Sequence, residues 1–249
     1  MNLNRRQLIG TAAAGCCALP ALANETSSEA SNASHSPTNS THVVLLGDSV
    51  FDNQRYVSGG GSVVELVRQE VPATTQVTLL ASDGHTTRDI SDQLKKLPDD
   101  ATHLVLSIGG NDALGQSGIL NRPATQSSEV FLALAEIRQS FERDYSRMLD
   151  QVTALNKPLV LCTIYDPRFE DQQQQKMCVA ALGVFNDVIT RAAAQRGLPL
   201  VDLRVIFSRP TDYANAIEPA AEGGAKLAKA ISNAVFNHAF EQRTAGIYV

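Results

Sequence analysis

The chain has 249 residues, 43% of them hydrophobic, with a formal charge of −5 at pH 7 and no tryptophan. That length suits one large α/β domain and is short for two. The mild acidity argues against a phosphate-binding face and so against a nucleic-acid partner, and no Walker loop, dinucleotide-binding glycine fingerprint or HExxH is present, so no cofactor or metal is expected.

The N-terminus reads as an export signal over residues 1–23. Asn4-Arg5-Arg6-Gln7-Leu8-Ile9-Gly10 places two adjacent arginines ahead of an alanine-rich apolar run, and Ala21-Leu22-Ala23 supplies small residues at cleavage-site spacing. The pattern resembles a twin-arginine signal, which implies the export machinery as a partner and a periplasmic or secreted product. The apolar run is short of the ~20 residues that span a bilayer, so the mature chain is expected to lack a membrane span. Ala14-Gly15-Cys16 is a weak lipid-attachment motif. Residues 24–41, rich in Ser, Asn and Thr, read as a disordered linker, and 42–249 as the domain. Cleavage after Ala23 would leave only Cys162 and Cys178, expected as two separate thiols because Cys162 sits in an apolar strand.

From His42 onward strands and helices alternate. Aliphatic runs predict strands over 42–47, 76–81, 102–108, 158–164 and 198–203, and 3.6-residue apolar spacing predicts helices over 62–68, 86–97, 128–155, 173–196 and 222–241. This order implies a three-layer α/β/α domain around a five-stranded, doubly wound parallel sheet. The carboxyl ends of such strands share one ligand-binding edge. The first strand ends there in Gly47-Asp48-Ser49, the second in Ser82-Asp83-Gly84-His85, the third in Gly109-Gly110-Asn111-Asp112. Alone, each reads equally as a turn or a helix cap. Together they gather a hydroxyl, backbone N–H groups and an amide, the donor set that stabilises an oxyanion.

This ordered set resembles the GDSL or SGNH family of serine esterases and lipases over nearly the whole domain. The resemblance implies a flavodoxin-like sheet, an ester-hydrolysing activity on a small-molecule or glycan ester, Ser49 as nucleophile, and Ser49, Gly84 and Asn111 as oxyanion donors. Asp48, His85 and Asp112 are expected to support the cleft.

The family's fourth block, Asp-x-x-His-Pro, is altered. Here Asn215-Ala216-Ile217-Glu218-Pro219 puts Glu218 where the basic histidine is expected and Asn215 where its orienting aspartate is expected. A buried glutamate with a raised pKa would serve as a base, and Asn215 would donate a hydrogen bond to it. The same pair of changes suits a binding or accessory module that has lost turnover. His85 is a lesser candidate base. His35, His42, His103 and His238 fall in the linker, before or at the start of strands, or in the last helix. Asp48, Asp52, Asp83 and Asp112 are expected to support turns rather than hold a cation, and 165–169 is expected to face the cleft.

Overall fold

Aliphatic runs at Val43–Leu46, Leu104–Leu106 and Leu159–Leu161 leave no face for water, so the strands must be covered on both sides. In a computed structural model that describes residues 40–249 they form six parallel strands: β1 (His42–Gly47), β2 (Gln76–Leu79), β3 (His103–Ser107), β4 (Leu159–Cys162), β5 (Leu200–Val201) and β6 (Ile247–Tyr248), in the order β2-β1-β3-β4-β5-β6. The alternation along each strand splits the core in two. Val43, Leu45, Val105, Val160 and Val201 face α1 (Val63–Glu70), α6 (Leu203–Ile206) and α7 (Ala221–Asn237). Val44, Leu46, Leu104, Leu106, Leu159 and Leu161 face α2 (Ile90–Leu94), α4 (Ser127–Thr153) and α5 (Gln172–Arg196), while α3 (Gly110–Leu114) follows β3 at the rim. This is the three-layer architecture expected from the sequence.

Two details differ from the sequence reading. A sixth strand closes the β5 edge, where Leu200 pairs with Ile247 and Val201 with Tyr248; two residues are too short to show a period of two. The helix expected over 86–97 begins as a 3-10 turn at Thr87–Asp89 before α2. The signal segment, with Cys16, lies outside the described residues, as does His35 of the linker. So does the linker except its last two residues, of which Thr41 accepts a hydrogen bond from Gln76 N–H at 2.9 Å.

α5 is long and apolar enough by composition to cross a bilayer, but Phe185, Val188, Ile189, Ala192 and Ala193 are buried against the sheet. Cys162 and Cys178 are both free thiols. β1 has β2 on one side and β3 on the other, so the chain leaving β1 and the chain leaving β3 diverge at a topological switch point, where an open α/β sheet forms its crevice.

Candidate active site

Gly47 decides where β1 stops. It holds φ 137°, and a Cβ there would lie 1.8 Å from the Ser107 carbonyl oxygen. Only glycine lets β1 run this close to β3 before turning. Gln93 then seals the strand end: its Oε1 accepts from Gly47 N–H at 2.9 Å and its Nε2 donates to Gly47 C=O at 2.7 Å. Asp48 and Ser49 follow, with Asp48 buried and its Oδ1 accepting from Val50 N–H at 3.1 Å. Asn53, also buried, accepts from Val63 N–H at the start of α1 (2.9 Å) and donates to the Pro219 carbonyl (3.1 Å). It thereby ties the loop carrying Ser49 to the segment carrying Glu218, 166 residues away in sequence.

That segment is a small hairpin. Ala214 N–H donates to Glu218 C=O at 2.8 Å, and Tyr213 bridges Pro219 antiparallel. Asn215 is exposed and its Oδ1 accepts from the backbone N–H groups of Ile217 (2.9 Å) and Glu218 (3.0 Å). The expected donation from Asn215 to the Glu218 carboxyl is therefore corrected: among the described residues the Asn215 amide nitrogen makes no bond to that carboxyl, and the amide oxygen holds the turn of the hairpin. From the opposite side the buried Tyr165 hydroxyl donates to the Ile217 carbonyl, so the 165–169 segment does support the cleft.

Ser49, Asp48, Asn111 and Glu218 line one cavity of about 720 Å³. Glu218 is 4% exposed, and its Oε2 has no hydrogen-bond partner among the described residues. Burial pushes its pKa up from 4.5 to about 7, with the Asp83 charge adding to the rise. The Ser49 hydroxyl lies near enough to oppose that rise. Catalytic hydrogen bonds of this kind often tighten only when substrate binds. Burial, reinforced by the charges of Glu218 and Asp112, also raises Asp48 to about 7.

Gly84, His85 and Asp112 sit just beyond the cavity lining. Asn111 Nδ2 donates to the His85 carbonyl at 2.9 Å, which joins the loop after β2 to the end of β3 and commits one of the two amide hydrogens. Gly84, at φ 81°, and Ser49 have backbone N–H groups with no acceptor among the described residues. Asp112 takes the Thr87 N–H (3.1 Å) and hydroxyl (2.7 Å), Asp52 takes Asp83 N–H (3.0 Å), and Asp83 takes the Tyr56 hydroxyl (2.8 Å) and pairs with Arg55. Each of these acids thus has its own structural partner, and no group of three or more metal-ligating side chains occurs among the described residues. His85 Nδ1 meets Gln93 Nε2 at 2.8 Å, so its ring braces the strand end. His42 bonds Asp100 and Thr78 at the amino end of the sheet, and His103 and His238 pack around Phe240.

A model of the GDSL-like lipase/acylhydrolase family matches residues 45–225, a span that holds every side chain lining this cavity. The chain belongs to that family. Membership places it among the carboxylic ester hydrolases. No curated protein sequence matches the chain. Solved structures of similar fold include an extracellular lipase from Streptomyces rimosus, with TM-score 0.59, 20% identity and coverage of 78% of this chain and 98% of that one. A phospholipase A1 from Streptomyces albidoflavus gives 0.56, 19%, 78% and 98%. An acetyl xylan esterase from Geobacillus stearothermophilus gives 0.53, 20%, 79% and 94%. At such identities these structures bear on the fold alone.

Two residues of this family site escaped the sequence reading, Gln93 and Asn53. Gln93 had a signal: with Ile90 and Leu94 it lies on the apolar side of its helix, where a polar side chain must find a buried partner. Asn53 had none, because its partners are set by tertiary contacts.

Proposed function

We propose that this chain is an exported ester hydrolase in which Ser49 is the nucleophile and Glu218 the general base. The observation that carries the reading is the meeting of the Ser49 hydroxyl with a buried carboxyl of pKa about 7 in one cavity. An imidazole has an ordinary pKa of about 6.5, so burial gives Glu218 nearly the proton affinity that a histidine would bring. The charge balance differs. A histidine base becomes a cation as the oxyanion forms and benefits from an aspartate beside it. A glutamate base passes from anion to neutral acid while the single negative charge moves to the substrate oxygen, so an orienting carboxylate has no cation to stabilise. The Asn at position 215 suits that balance.

In the proposed reaction Ser49 Oγ attacks the ester carbonyl carbon as its proton passes to Glu218. The oxyanion is held by the N–H groups of Ser49 and Gly84 and the second amide hydrogen of Asn111. Collapse breaks the bond to the alcohol oxygen, which leaves with the proton from Glu218. Water then attacks the acyl-serine, giving a proton to Glu218, and the carboxylic acid leaves as Ser49 recovers its proton. The arginine pair of the signal supports export. The apolar walls of the cavity support acyl esters with an aliphatic chain as substrates, with acetyl esters of envelope glycans as the shorter end of that class.

The test is hydrolysis of p-nitrophenyl acetate, butyrate and hexanoate by the protein and its Ser49→Ala and Glu218→Gln variants, with phosphonate labelling followed by peptide mapping. Activity lost in both variants and a label on Ser49 is the expected result. Equal rates in protein and Ser49→Ala, with no label, would overturn it and leave a ligand-binding cleft without turnover.

A further inference from the structure

Once Asp48 and Glu218 ionise above about pH 7, the charges of the cavity are all of one sign. Its lining contains three ionisable acids, Asp48, Glu218 and Asp171, and no lysine, arginine or histidine. Asp48 and Glu218 are buried beside Ser49, and Asp171 stands exposed at the start of α5, its Oδ1 accepting from Gln174 N–H at 2.7 Å. Cations on neighbouring loops stay outside the lining: Arg55 pairs with Asp83, and Arg168 lies over the Tyr213 ring at 5.8 Å. Away from Ser49 the walls are apolar, with Leu134 and Ile137 of α4 facing Met177, Leu182 and Phe185 of α5.

We infer that this cleft selects by charge: it accepts uncharged or cationic acyl esters with the aliphatic chain between α4 and α5, and it rejects esters that carry an anion. Two like charges about 8 Å apart, at an effective dielectric near 20, disfavour each other by a factor of about 30. Nothing in the lining offers a compensating cation. The inference rests on the ester-hydrolase reading and adds a consequence to it. Hydrolysis turns a neutral ester into a carboxylic acid, which gives its proton to solvent and becomes a carboxylate inside an acidic cavity, so the acids that exclude anionic substrates also expel the product.

The experiment compares, at about pH 8.5 where Asp48 and Glu218 are ionised, three esters of equal length, p-nitrophenyl hexanoate, ε-aminocaproate and monoadipate, which are neutral, cationic and anionic. We expect kcat/KM for the monoadipate to be lower than for both others by about tenfold or more. Exclusion by apolar walls alone would depress the cation and the anion alike, and that result overturns the inference, as does a monoadipate rate within about threefold of the hexanoate rate. Gln116 lines the exposed rim, and Gln116→Lys is expected to raise the monoadipate rate relative to hexanoate. Calorimetric titration with hexanol, hexylammonium and hexanoate gives a readout independent of turnover. If no ester is hydrolysed the catalytic reading fails, while the order of binding still decides this one: hexanoate binding as tightly as hexanol, or no binding by any of the three, overturns it.

Discussion

Replacing Glu218 by Gln separates the cost of the buried carboxyl from its use. The rise in pKa from 4.5 to about 7 corresponds to about 3 kcal/mol of folding free energy, at about 1.4 kcal/mol per pH unit. Water in the open cleft screens part of this, leaving about 1–2 kcal/mol. The sign follows from proton counting. Between pH 4.5 and about 7 the folded chain holds a proton on Glu218 that the unfolded chain has released, so its contribution to stability is intact below 4.5 and is lost as pH rises through about 7. The Glu218→Gln variant loses this contribution, while Asp48, also raised to about 7, lowers the stability of both proteins as pH rises. The variant's amide stands where Oε2 has no partner, a cost that is the same at every pH, so the change in the gap between the two proteins carries the test. Urea unfolding at about pH 4.5 and about pH 8 is expected to show the variant gaining about 1–2 kcal/mol on the parent across that interval. In thermal melts this amounts to a relative gain of about 2–8 °C. A gap that does not change with pH would refute the assignment of a buried, protonatable carboxyl at this position.

The other predictions concern the strand end and the base. Ester hydrolysis should fall as pH drops through about 7, because the base must be ionised; pH–rate profiles of kcat/KM should show this limb, with Glu218→Gln lower by about 100-fold to 10,000-fold. Gln93→Ala strands the buried N–H of Gly47, whose C=O keeps the Ser82 N–H at 3.1 Å, and should cost about 1–3 kcal/mol in urea unfolding, with a loss of activity from a loosened Ser49. Gly47→Ala would drive a Cβ to 1.8 Å from the Ser107 carbonyl oxygen, and circular dichroism should show no cooperative unfolding transition.

The site was only partly legible from residue order. Ser49, Asn111 and Glu218 stand in the sequence as separate marks at strand ends and before the last helix, and the cavity does bring them together. Gly84 is marked by its turn, but its place just outside the lining follows from the path of the loop between β2 and α2. Asn215 is marked by its position in the altered block, and its side chain turns to the backbone of the hairpin because a short polar side chain satisfies nearby N–H groups before distant ones. Tyr165, Asn53 and Gln93 act on the site through backbone carbonyls and amides of other loops, and which backbone group each one meets leaves no mark in a sequence.

The sequence by itself determined the parallel sheet, its two-sided burial and the edge where the polar residues collect, because strand burial and helix periodicity are written in the local order of apolar side chains. Tertiary structure alone decided the protonation of Glu218, the bracing of Gly47 and the acidity of the cavity. Those depend on which distant residues exclude water from a carboxyl or stand beside it, and burial of that kind exists only once β1, the hairpin around Glu218 and the 165–169 segment have packed together.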